Sequence, residues 1–339
     1  MVDSDPGGAR LKVLYVAGWG RSGTTLMDNV LGAHDGVFTA GEITRLWELG
    51  YLEGRRCGCG DPVVGCAFWA PVLRRAFGDQ PPDPRRLAAL QHGSLGVLRT
   101  GALLAAARSG RSTDEATGYA DILSRLYRAI AATTGCRVVV DASKRPPDAI
   151  LTAMASGVEP YLLHMVRDPR ACAYSWQRTV TDPSADGTRM HRHGRLMNVG
   201  HWVSWNVLIE RLTQLLPPGR VLRVRYEDFM SAPRDVVGAV VDWLGEPVTD
   251  GPFLDDRTVD LPPNHTIAGN PGRFRTGEVG VRLDDAWVTE QGRLDRYVTT
   301  ALASPWLRHY GYSWGRPTAR SDVSLTAVSR ADRPRGAGG

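Results

Sequence analysis

The sequence predicts an α/β fold in which five parallel strands form one sheet with helices on both faces. Short apolar runs rich in β-branched residues alternate along the chain with segments of helical periodicity, as expected of βαβ units. The runs are almost unbroken, which is typical of strands buried on both faces. Polar residues follow four of the runs, and ligands of open α/β sheets bind at the carboxyl ends of strands.

The first run, 13–17, leads into a Gly-rich turn and a helix, so the fold is of the P-loop type. Free backbone N–H groups and the positive end of the helix dipole make such a turn an anion site. The turn nearly matches the triphosphate loop G-x4-G-K-[ST], but Thr24 stands where that loop has lysine. The residues that suit a 5′-phosphate or phosphosulfate are Arg21, Ser22, Gly23, Thr24 and Thr25.

The four remaining strands are predicted at 37–38, 137–141, 161–166 and 220–226. Glu42 follows the second strand, Ser143 and Lys144 follow the third, and Arg167 ends the fourth. Because the carboxyl ends of parallel strands meet at one edge, we expect these side chains to lie near the Gly-rich turn 18–25, called the anion loop below. His164, inside the fourth strand, is expected to be a hydrogen-bonded core residue.

One domain is predicted over residues 11–315. Residues 67–135 form a helical insertion that packs on the core and contributes to the wall of the substrate pocket, and 182–195 is expected to be a mobile loop. The ends, 1–10 and 316–339, have no periodicity and are expected to be disordered.

Composition excludes several classes of function. The net charge is +5, but the basic residues are scattered, which argues against nucleic-acid binding. No apolar run reaches the ~18 residues of a membrane span, and the first residues lack a secretory signal, so we expect a cytoplasmic enzyme. Lysine occurs only at positions 12 and 144. In a chain so rich in arginine, Lys144 is a candidate for a role that needs a compact, movable ammonium.

Three of the five cysteines, Cys57, Cys59 and Cys66, cluster in CGCGDPVVGC. They could hold Zn²⁺ with a fourth ligand from elsewhere, or Cys57 or Cys59 could form a disulfide with Cys66. Because the spacing matches no strong zinc pattern, the sequence predicts no metal site.

Four segments together resemble the PAPS-dependent sulfotransferases, where PAPS is 3′-phosphoadenosine 5′-phosphosulfate. They are GWGRSGTTLM, Arg167 with Ser175 eight residues later, YEDF with Tyr226, and GNPGRFRTG. The resemblance covers most of residues 11–315 and is closest to bacterial members that act on carbohydrates or small molecules. The run SGTTLM…GEITR is also similar to part of the tyrosylprotein sulfotransferases.

The resemblance implies PAPS as donor and the bisphosphate PAP as product, in an enzyme of class EC 2.8.2. It places the 5′-phosphosulfate at the loop 21–25 and the 3′-phosphate at Arg167 and Ser175. Ser143, at the end of the third strand, is expected to contribute to the same cofactor site. It also places the adenine beside Tyr226. Arg273 and Arg275 are assigned by position to the loop that covers the bisphosphate, since the RKG triplet of the cytosolic arylsulfotransferases is missing.

Sulfuryl transfer needs a fixed donor, a stabilised leaving group and an acceptor that loses a proton. Lys144 and Arg21 are predicted to face the leaving group, and Glu42, in a GE pair like the carboxylate base of some branches, is predicted to take the proton. His191 or His193 is the alternative base. No metal is required, because the sulfuryl group carries little charge compared with a γ-phosphoryl group.

Two other functions are consistent with the residues: a small-molecule or nucleotide kinase with an altered phosphate loop, and a non-catalytic nucleotide-binding protein. The acceptor is expected to be a hydroxyl or amine of a carbohydrate or small molecule, and Trp47, Trp69 or Trp176 could stack on it. The sequence does not determine the acceptor or the oligomeric state, although homodimers are the commonest oligomers.

Overall fold

The computed structural model describes residues 10–178, 181–185, 188–189, 194–315 and 326–327. Nearly all of both predicted disordered ends, and the two alternative bases His191 and His193, lie outside the described residues.

A central sheet contains the predicted five parallel strands. These strands are β1 (Leu11–Ala17), β2 (Val37–Thr39), β3 (Val138–Lys144), β4 (Val158–Val166) and β7 (Val221–Arg225). Short antiparallel strands add to them: β5 (Thr181–Asp182) pairs with β6 (Thr188–Arg189), β8 (Thr258–Leu261) with β9 (Gly277–Gly280), and β10 (Thr326–Ala327) with β7. The order in the sheet is β10-β7-β4-β1-β3-β2, which confirms the α/β prediction and adds one antiparallel edge strand.

Helices cover both faces of this sheet. The α-helices of the described residues are α1 (Thr24–Gly32), α2 (Trp69–Phe77), α3 (Pro84–His92), α4 (Thr100–Ser109), α5 (Asp114–Thr134), α6 (Pro146–Met154), α7 (Pro169–Gln177), α8 (Arg195–Leu212), α9 (Tyr226–Ser231), α10 (Pro233–Trp243), α11 (Trp287–Glu290) and α12 (Arg293–His309). A π-helix covers Leu46–Leu52, and 3₁₀ turns cover Ile43–Arg45, Val63–Gly65, Val97–Arg99, Pro183–Ala185 and Pro271–Phe274. Within the described part of the chain, no helix is both long enough and apolar enough to cross a bilayer.

The central position of β1 in the sheet explains why its residues are apolar at every position rather than at every second one. Val13 and Tyr15 belong to the apolar layer on one face of the sheet, whereas Leu14 and Val16 belong to the layer on the other. All four side chains are at most 1% exposed. A strand at the centre of a doubly covered sheet needs apolar residues at every position, because successive side chains point to opposite faces.

The segment 67–135 contains four helices, α2 to α5, between β2 and β3. The long helix α5 begins where the Thr113 hydroxyl accepts a hydrogen bond from the Ala116 N–H, and it ends before Gly135, whose φ is 72°. Trp47 and Trp69 are 1% and 0% exposed in the core that these helices share with the sheet. The expectation that either stacks on an acceptor is therefore wrong, because their faces are already packed.

Two prolines make helices begin almost directly after strands. Pro146 follows β3 at the start of α6, and Pro169 follows β4 at the start of α7, where the Asp168 side chain caps the helix. Proline suits the first turn of a helix, where its missing N–H has no partner to lose. Lys144 and Arg167 are thereby placed at the carboxyl edge of the sheet.

His164 in β4 is buried, and its Nε2 lies 2.8 Å from Asn206 Oδ1. Burial lowers the pKa of this imidazole to about 4, so the side chain is neutral near pH 7. The prediction of a hydrogen-bonded core histidine is confirmed.

Candidate active site at the carboxyl edge of the sheet

The loop between β1 and α1 is shaped by close contacts that exclude side chains. A Cβ on Gly18 would lie 2.5 Å from the Met165 carbonyl oxygen, and a Cβ on Gly23 would lie 2.5 Å from the Tyr226 ring. Gly23 has a left-handed φ of 82° and is the N-cap of α1, so no side-chain cap competes for the N–H groups of the first turn. The loop therefore has the features of an anion-binding helix N-terminus.

Lys144 and Glu42 form an ion pair at the end of this loop. A register shift between β1 and β3 sets Lys144 beside Ala17, the last residue before the loop. The backbone N–H of Glu42 donates to the Ile267 carbonyl at 2.7 Å, and the Lys144 carbonyl accepts from Trp205 Nε1 at 3.0 Å. The side chains of Lys144 and Glu42 are only 14% and 17% exposed, so water screens the pair weakly.

Backbone strain is concentrated at the same place. Among the described residues, Arg21, Lys144 and Ala268 are the non-glycines with left-handed φ, at 72°, 68° and 51°. Ala268 precedes Gly269, where an added Cβ would lie 3.4 Å from Glu42 Oε1 and 3.7 Å from Thr25 Oγ1. Such conformations cost about 1–3 kcal/mol each and cluster at functional sites. Here the strained residues belong to three segments that meet around Glu42.

The loop 264–275, which contains Arg273 and Arg275, lies directly against the anion loop. The Asn270 N–H points to Thr25 Oγ1 at 3.4 Å. Arg273, which follows, is 1% exposed and donates to the carbonyls of Thr266 at 2.7 Å and Arg56 at 2.6 Å. The structure therefore favours a supporting role for Arg273 inside the loop over direct contact with a ligand. Arg275 is exposed at the surface of the same loop.

Arg167 connects the anion loop to Tyr226. Its Nη1 donates to the Arg21 carbonyl at 3.0 Å, and its guanidinium carbon lies 4.1 Å from the centre of the Tyr226 ring. Its Nη2 donates to the Asp284 carbonyl at 2.9 Å and lies 3.3 Å from an Asp284 carboxylate oxygen. Asp284 was not anticipated from the sequence, since it lies 117 residues from Arg167 and no spacing rule relates them.

Positive charge accumulates around this arrangement. Arg178 Nη1 lies 3.8 Å from Asp284 Oδ2, and the Arg21 guanidinium lies 5.2 Å from the centre of the Trp176 ring. Burial, and then the charges of Arg167 and Arg178, lower the pKa of Arg21. Arg21, Arg167 and Arg178 therefore lie close enough to influence one another, which suits a site for a polyanion.

The other side chains that are predicted to bind the donor differ in burial and in whether a neighbouring residue already bonds them. The Ser143 hydroxyl is buried, donates to the Asp141 carboxylate and accepts from the Thr44 N–H at 3.0 Å. Ser22 and Thr24 are buried, whereas Thr25 is half-buried at the loop. Ser175 is half-buried on α7. Its neighbour Trp176 donates from Nε1 to the Gly20 carbonyl at 3.0 Å, and stacking of its ring on an acceptor stays a prediction.

Buried carboxyl groups lie near Lys144. Burial raises the pKa of Asp28, on α1, to about 7, although a hydrogen bond from Thr39 and the charge of Lys144 lower it. Burial similarly raises the pKa of Asp141 to about 6. These groups were not selected from the sequence, because an acidic residue inside an apolar helix or strand reveals no partner until the fold is known.

A family model described as "Sulfotransferase family" matches residues 158–250. The matched segment contains Arg167, Ser175 and Tyr226. No curated protein matches the chain.

Three solved structures illustrate what the chain is similar to. The sulfotransferase domain of the olefin synthase from Synechococcus PCC 7002 is 21% identical, with a TM-score of 0.47, over 90% of this chain and 98% of that domain. Sulfotransferase STF9 from Mycobacterium avium is 15% identical, with a TM-score of 0.48, over 92% and 80%. The sulfotransferase domain of the curacin biosynthetic pathway is 15% identical, with a TM-score of 0.45, over 89% and 97%.

All three likenesses lie below 25% identity and below a TM-score of 0.5. The family match confirms the predicted resemblance and supports a sulfotransferase, an enzyme that transfers sulfuryl groups.

Proposed function

We propose that the protein transfers the sulfuryl group of PAPS to a hydroxyl or amine of a carbohydrate or small-molecule acceptor. Glu42 acts as the base, and Lys144 stabilises the leaving group. The observation that carries the proposal is the ion pair between these two side chains at the end of the anion loop. An ammonium and a carboxylate held together beside a phosphate-type loop match the two charges that sulfuryl transfer needs.

The residues at the edge of the sheet fit a nucleotide with phosphates at both ends. Loop 21–25 and the start of α1 would hold the 5′-phosphosulfate, which supplies the activated sulfur. Arg167 would hold the 3′-phosphate. Its buried Nε has no hydrogen-bond partner among the described residues, and a buried donor without a partner is costly unless a ligand completes it. Its position over the Tyr226 ring keeps the guanidinium plane fixed.

Lys144 connects donor binding to activation of the base. A phosphosulfate at the loop would compete with Glu42 for the ammonium, so Glu42 would lose its ion-pair partner and be left as an unpaired, weakly hydrated carboxylate. The acceptor then gives its proton to Glu42 as its oxygen or nitrogen bonds to sulfur. The electron pair of the broken S–O bond passes to the phosphate oxygen, where Lys144 and Arg21 stabilise the charge.

The left-handed backbone at Arg21, Lys144 and Ala268 supports this assignment. Side chains on a strained but well-packed backbone are held in place before the ligand arrives, so less free energy is lost on ordering them. Positioning of this kind can contribute roughly 7–11 kcal/mol to a transfer reaction.

The helical insertion is proposed to form the acceptor side of the pocket. Gln91, on α3, donates to the Thr44 carbonyl at 2.9 Å, and its own carbonyl accepts from Arg145 at 3.0 Å. Thr44 and Arg145 follow Glu42 and Lys144 closely in the chain. One residue of the insertion therefore contacts the segments that carry both proposed catalytic groups, which suits a wall that positions the acceptor.

Calorimetry with adenosine 3′,5′-bisphosphate tests the donor, and transfer of radiolabel from ³⁵S-PAPS to a panel of glycans, phenols and amines tests the reaction. We expect bisphosphate binding without added metal, and label transfer to at least one acceptor. A folded protein that does not bind the bisphosphate would overturn the proposal. Magnesium-dependent ATP turnover in its place would establish the kinase alternative.

A further inference from the structure

A second cluster of reactive side chains lies away from the ion pair. Cys57, Cys59, Cys66 and His265 each point one ligand atom into a common space, and these four atoms all lie within 4.8 Å of one another. Cys57 and Cys66 are buried, whereas Cys59 and His265 are half-buried. The three cysteines come from one short segment, but the histidine lies 199 residues beyond Cys66.

Four of the six distances between the ligand atoms are those of a tetrahedral zinc site, and the other two are at most 4.8 Å. Zn–S bonds of about 2.3 Å and Zn–N bonds of about 2.0 Å at tetrahedral angles place sulfurs about 3.8 Å apart and sulfur about 3.5 Å from nitrogen. Cys66 Sγ lies 3.7 Å from both Cys57 Sγ and Cys59 Sγ. His265 Nδ1 lies 3.4 Å from Cys66 Sγ and 3.7 Å from Cys57 Sγ.

A disulfide does not account for this arrangement. None of the five cysteines forms a disulfide, and sulfurs 3.7 Å apart are much farther than the ~2.0 Å of a disulfide bond. Cys66 is at the same distance from both possible partners, so neither pairing considered from the sequence is favoured. One cation bound by all three sulfurs explains why the two distances from Cys66 are equal.

The imidazole is oriented by contacts that leave Nδ1 facing the thiols. The His265 ring stacks on Phe68 with centroids 4.7 Å apart and planes at 16°. The His265 carbonyl accepts from Trp69 Nε1 at 3.0 Å. The stacking fixes the plane of the imidazole ring and the hydrogen bond fixes the backbone of His265, so the direction of Nδ1 is restricted.

We propose that Cys57, Cys59, Cys66 and His265 bind one Zn²⁺ ion, and that this ion anchors the loop 264–275 against the anion loop. Four protein ligands of the Cys₃His type fill the tetrahedron, which is typical of structural rather than catalytic zinc. Thiolates and imidazole also select zinc over magnesium or calcium, which prefer oxygen. The site thus supplies the fourth ligand that the cysteine spacing alone could not identify.

The anchoring role is supported by hydrogen bonds that also join the cysteine segment, 56–66, to the loop 264–275. The Gly58 N–H donates to the Thr266 carbonyl at 3.0 Å, and Arg273 donates to the Arg56 carbonyl at 2.6 Å. Both contacts lie on the segments that carry the ligands. Between Thr266 and Arg273, Gly269 and Asn270 lie against Thr25 and Glu42. Loss of the ion would therefore loosen the part of the loop that closes the site.

The decisive measurement is the metal content of the full chain, purified without metal-affinity steps or chelators from zinc-supplemented cultures. Elemental analysis should find one zinc per chain. Cys59→Ser and His265→Gln should each lose it, whereas Cys136→Ser, a cysteine outside the cluster, should retain it. Zinc absent from the wild-type protein, or retained by both ligand variants, would overturn the proposal.

Should the variants fail to fold, the wild-type protein still tests the site. A strong chelator should remove one zinc, and the exposed thiols should then react with a thiol reagent. Hydrogen exchange should become faster in 264–275 while β1 and β4 stay protected. Zinc removal without faster exchange in 264–275 would overturn the anchoring role. Neither readout depends on sulfuryl transfer, so the outcome is separate from that of the proposed function.

Discussion

The two lysines of the chain lie at opposite ends of the sheet and are used differently. Lys12, near the amino end of β1, donates to the Leu244 carbonyl at 2.7 Å and to Glu246 at 2.8 Å, and Glu246 also accepts from Arg137 at 2.6 Å. The ammonium of Lys144, at the carboxyl end of β3, has Glu42 as its hydrogen-bond partner within the described part of the chain.

The difference separates an end of the sheet that stabilises the fold from the end at which we propose that a ligand binds. Burial opposes ionisation of Glu246, but hydrogen bonds from Lys12 and Arg137 lower its pKa overall, so that cluster stabilises the folded protein. Lys144 instead has a left-handed φ of 68°, which costs stability. A strained lysine with a carboxylate partner that a ligand anion could replace is better explained by function than by folding.

The largest expected effect is that of Glu42→Gln. The amide cannot accept the acceptor proton, so the rate of transfer should fall by about 10²–10⁴-fold, while bisphosphate affinity stays within a few-fold. Kinetics with ³⁵S-PAPS and calorimetry measure the two quantities. Glu246→Gln, which alters the carboxylate at the other end of the sheet, should lower the melting temperature and leave kcat of the folded fraction unchanged. A fully active Glu42→Gln enzyme would place the base elsewhere.

Lys144→Ala should reduce kcat by about 10²–10³-fold, the usual cost of removing one group that stabilises transition-state charge. Lys144→Arg retains the charge but replaces the compact ammonium with a planar, rigid group. Compared with Lys144→Ala, we therefore expect this variant to recover bisphosphate affinity more fully than turnover. The matched control is Lys12→Ala, which should affect thermal stability alone. Equal losses of affinity and turnover in Lys144→Ala would make this lysine a binding contact only.

Asp28→Asn tests the cost of burying charge near Lys144. The pKa of Asp28 is about 7 in the folded protein against 3.8 for an ordinary aspartate, so the folded state binds the proton more tightly. The wild-type protein therefore loses stability as the pH rises from about 4 to 7, by up to about 4 kcal/mol.

The Asp28→Asn variant should be more stable than the wild-type protein at pH 8, and the gain should shrink towards pH 4. Denaturant unfolding at both pH values measures it. A stability difference that does not change with pH would contradict the role of this carboxyl group.

Arg167→Ala should weaken bisphosphate binding by about 10–150-fold, the effect of losing charge-assisted hydrogen bonds worth about 1.5–3 kcal/mol. Arg220→Ala is the matched control, because Arg220 also lies 4.1 Å from the centre of a tyrosine ring and also pairs with a carboxylate. It should leave binding unchanged. Similar losses in both variants would indicate a general effect on folding rather than a phosphate contact.

Local patterns predicted much of the fold and part of the candidate site. The strand β3 and the helix α5 follow from β-branched and helical patterns over a few residues, and Glu42 and Lys144 were placed together because both follow strands of one parallel sheet. The structure brings the pair into contact, whereas the proposed chemistry of both residues stays a prediction.

Other assignments needed the folded chain because their side chains have competing partners. Ser143 and Arg273 were assigned to the donor site from their positions, yet in the structure the Ser143 hydroxyl bonds Asp141 and the Arg273 guanidinium bonds two backbone carbonyls. A sequence pattern identifies the type of group at a position, but it does not show whether a neighbour already occupies that group.

The sequence by itself determined the alternation of strands and helices and the anion loop, because these depend on residues within one or two turns of each other. Only the tertiary structure brought His265 to the cysteines and Asp284 to Arg167. These contacts join residues more than 100 positions apart. They depend on the path of every intervening element across the sheet, which no local periodicity encodes.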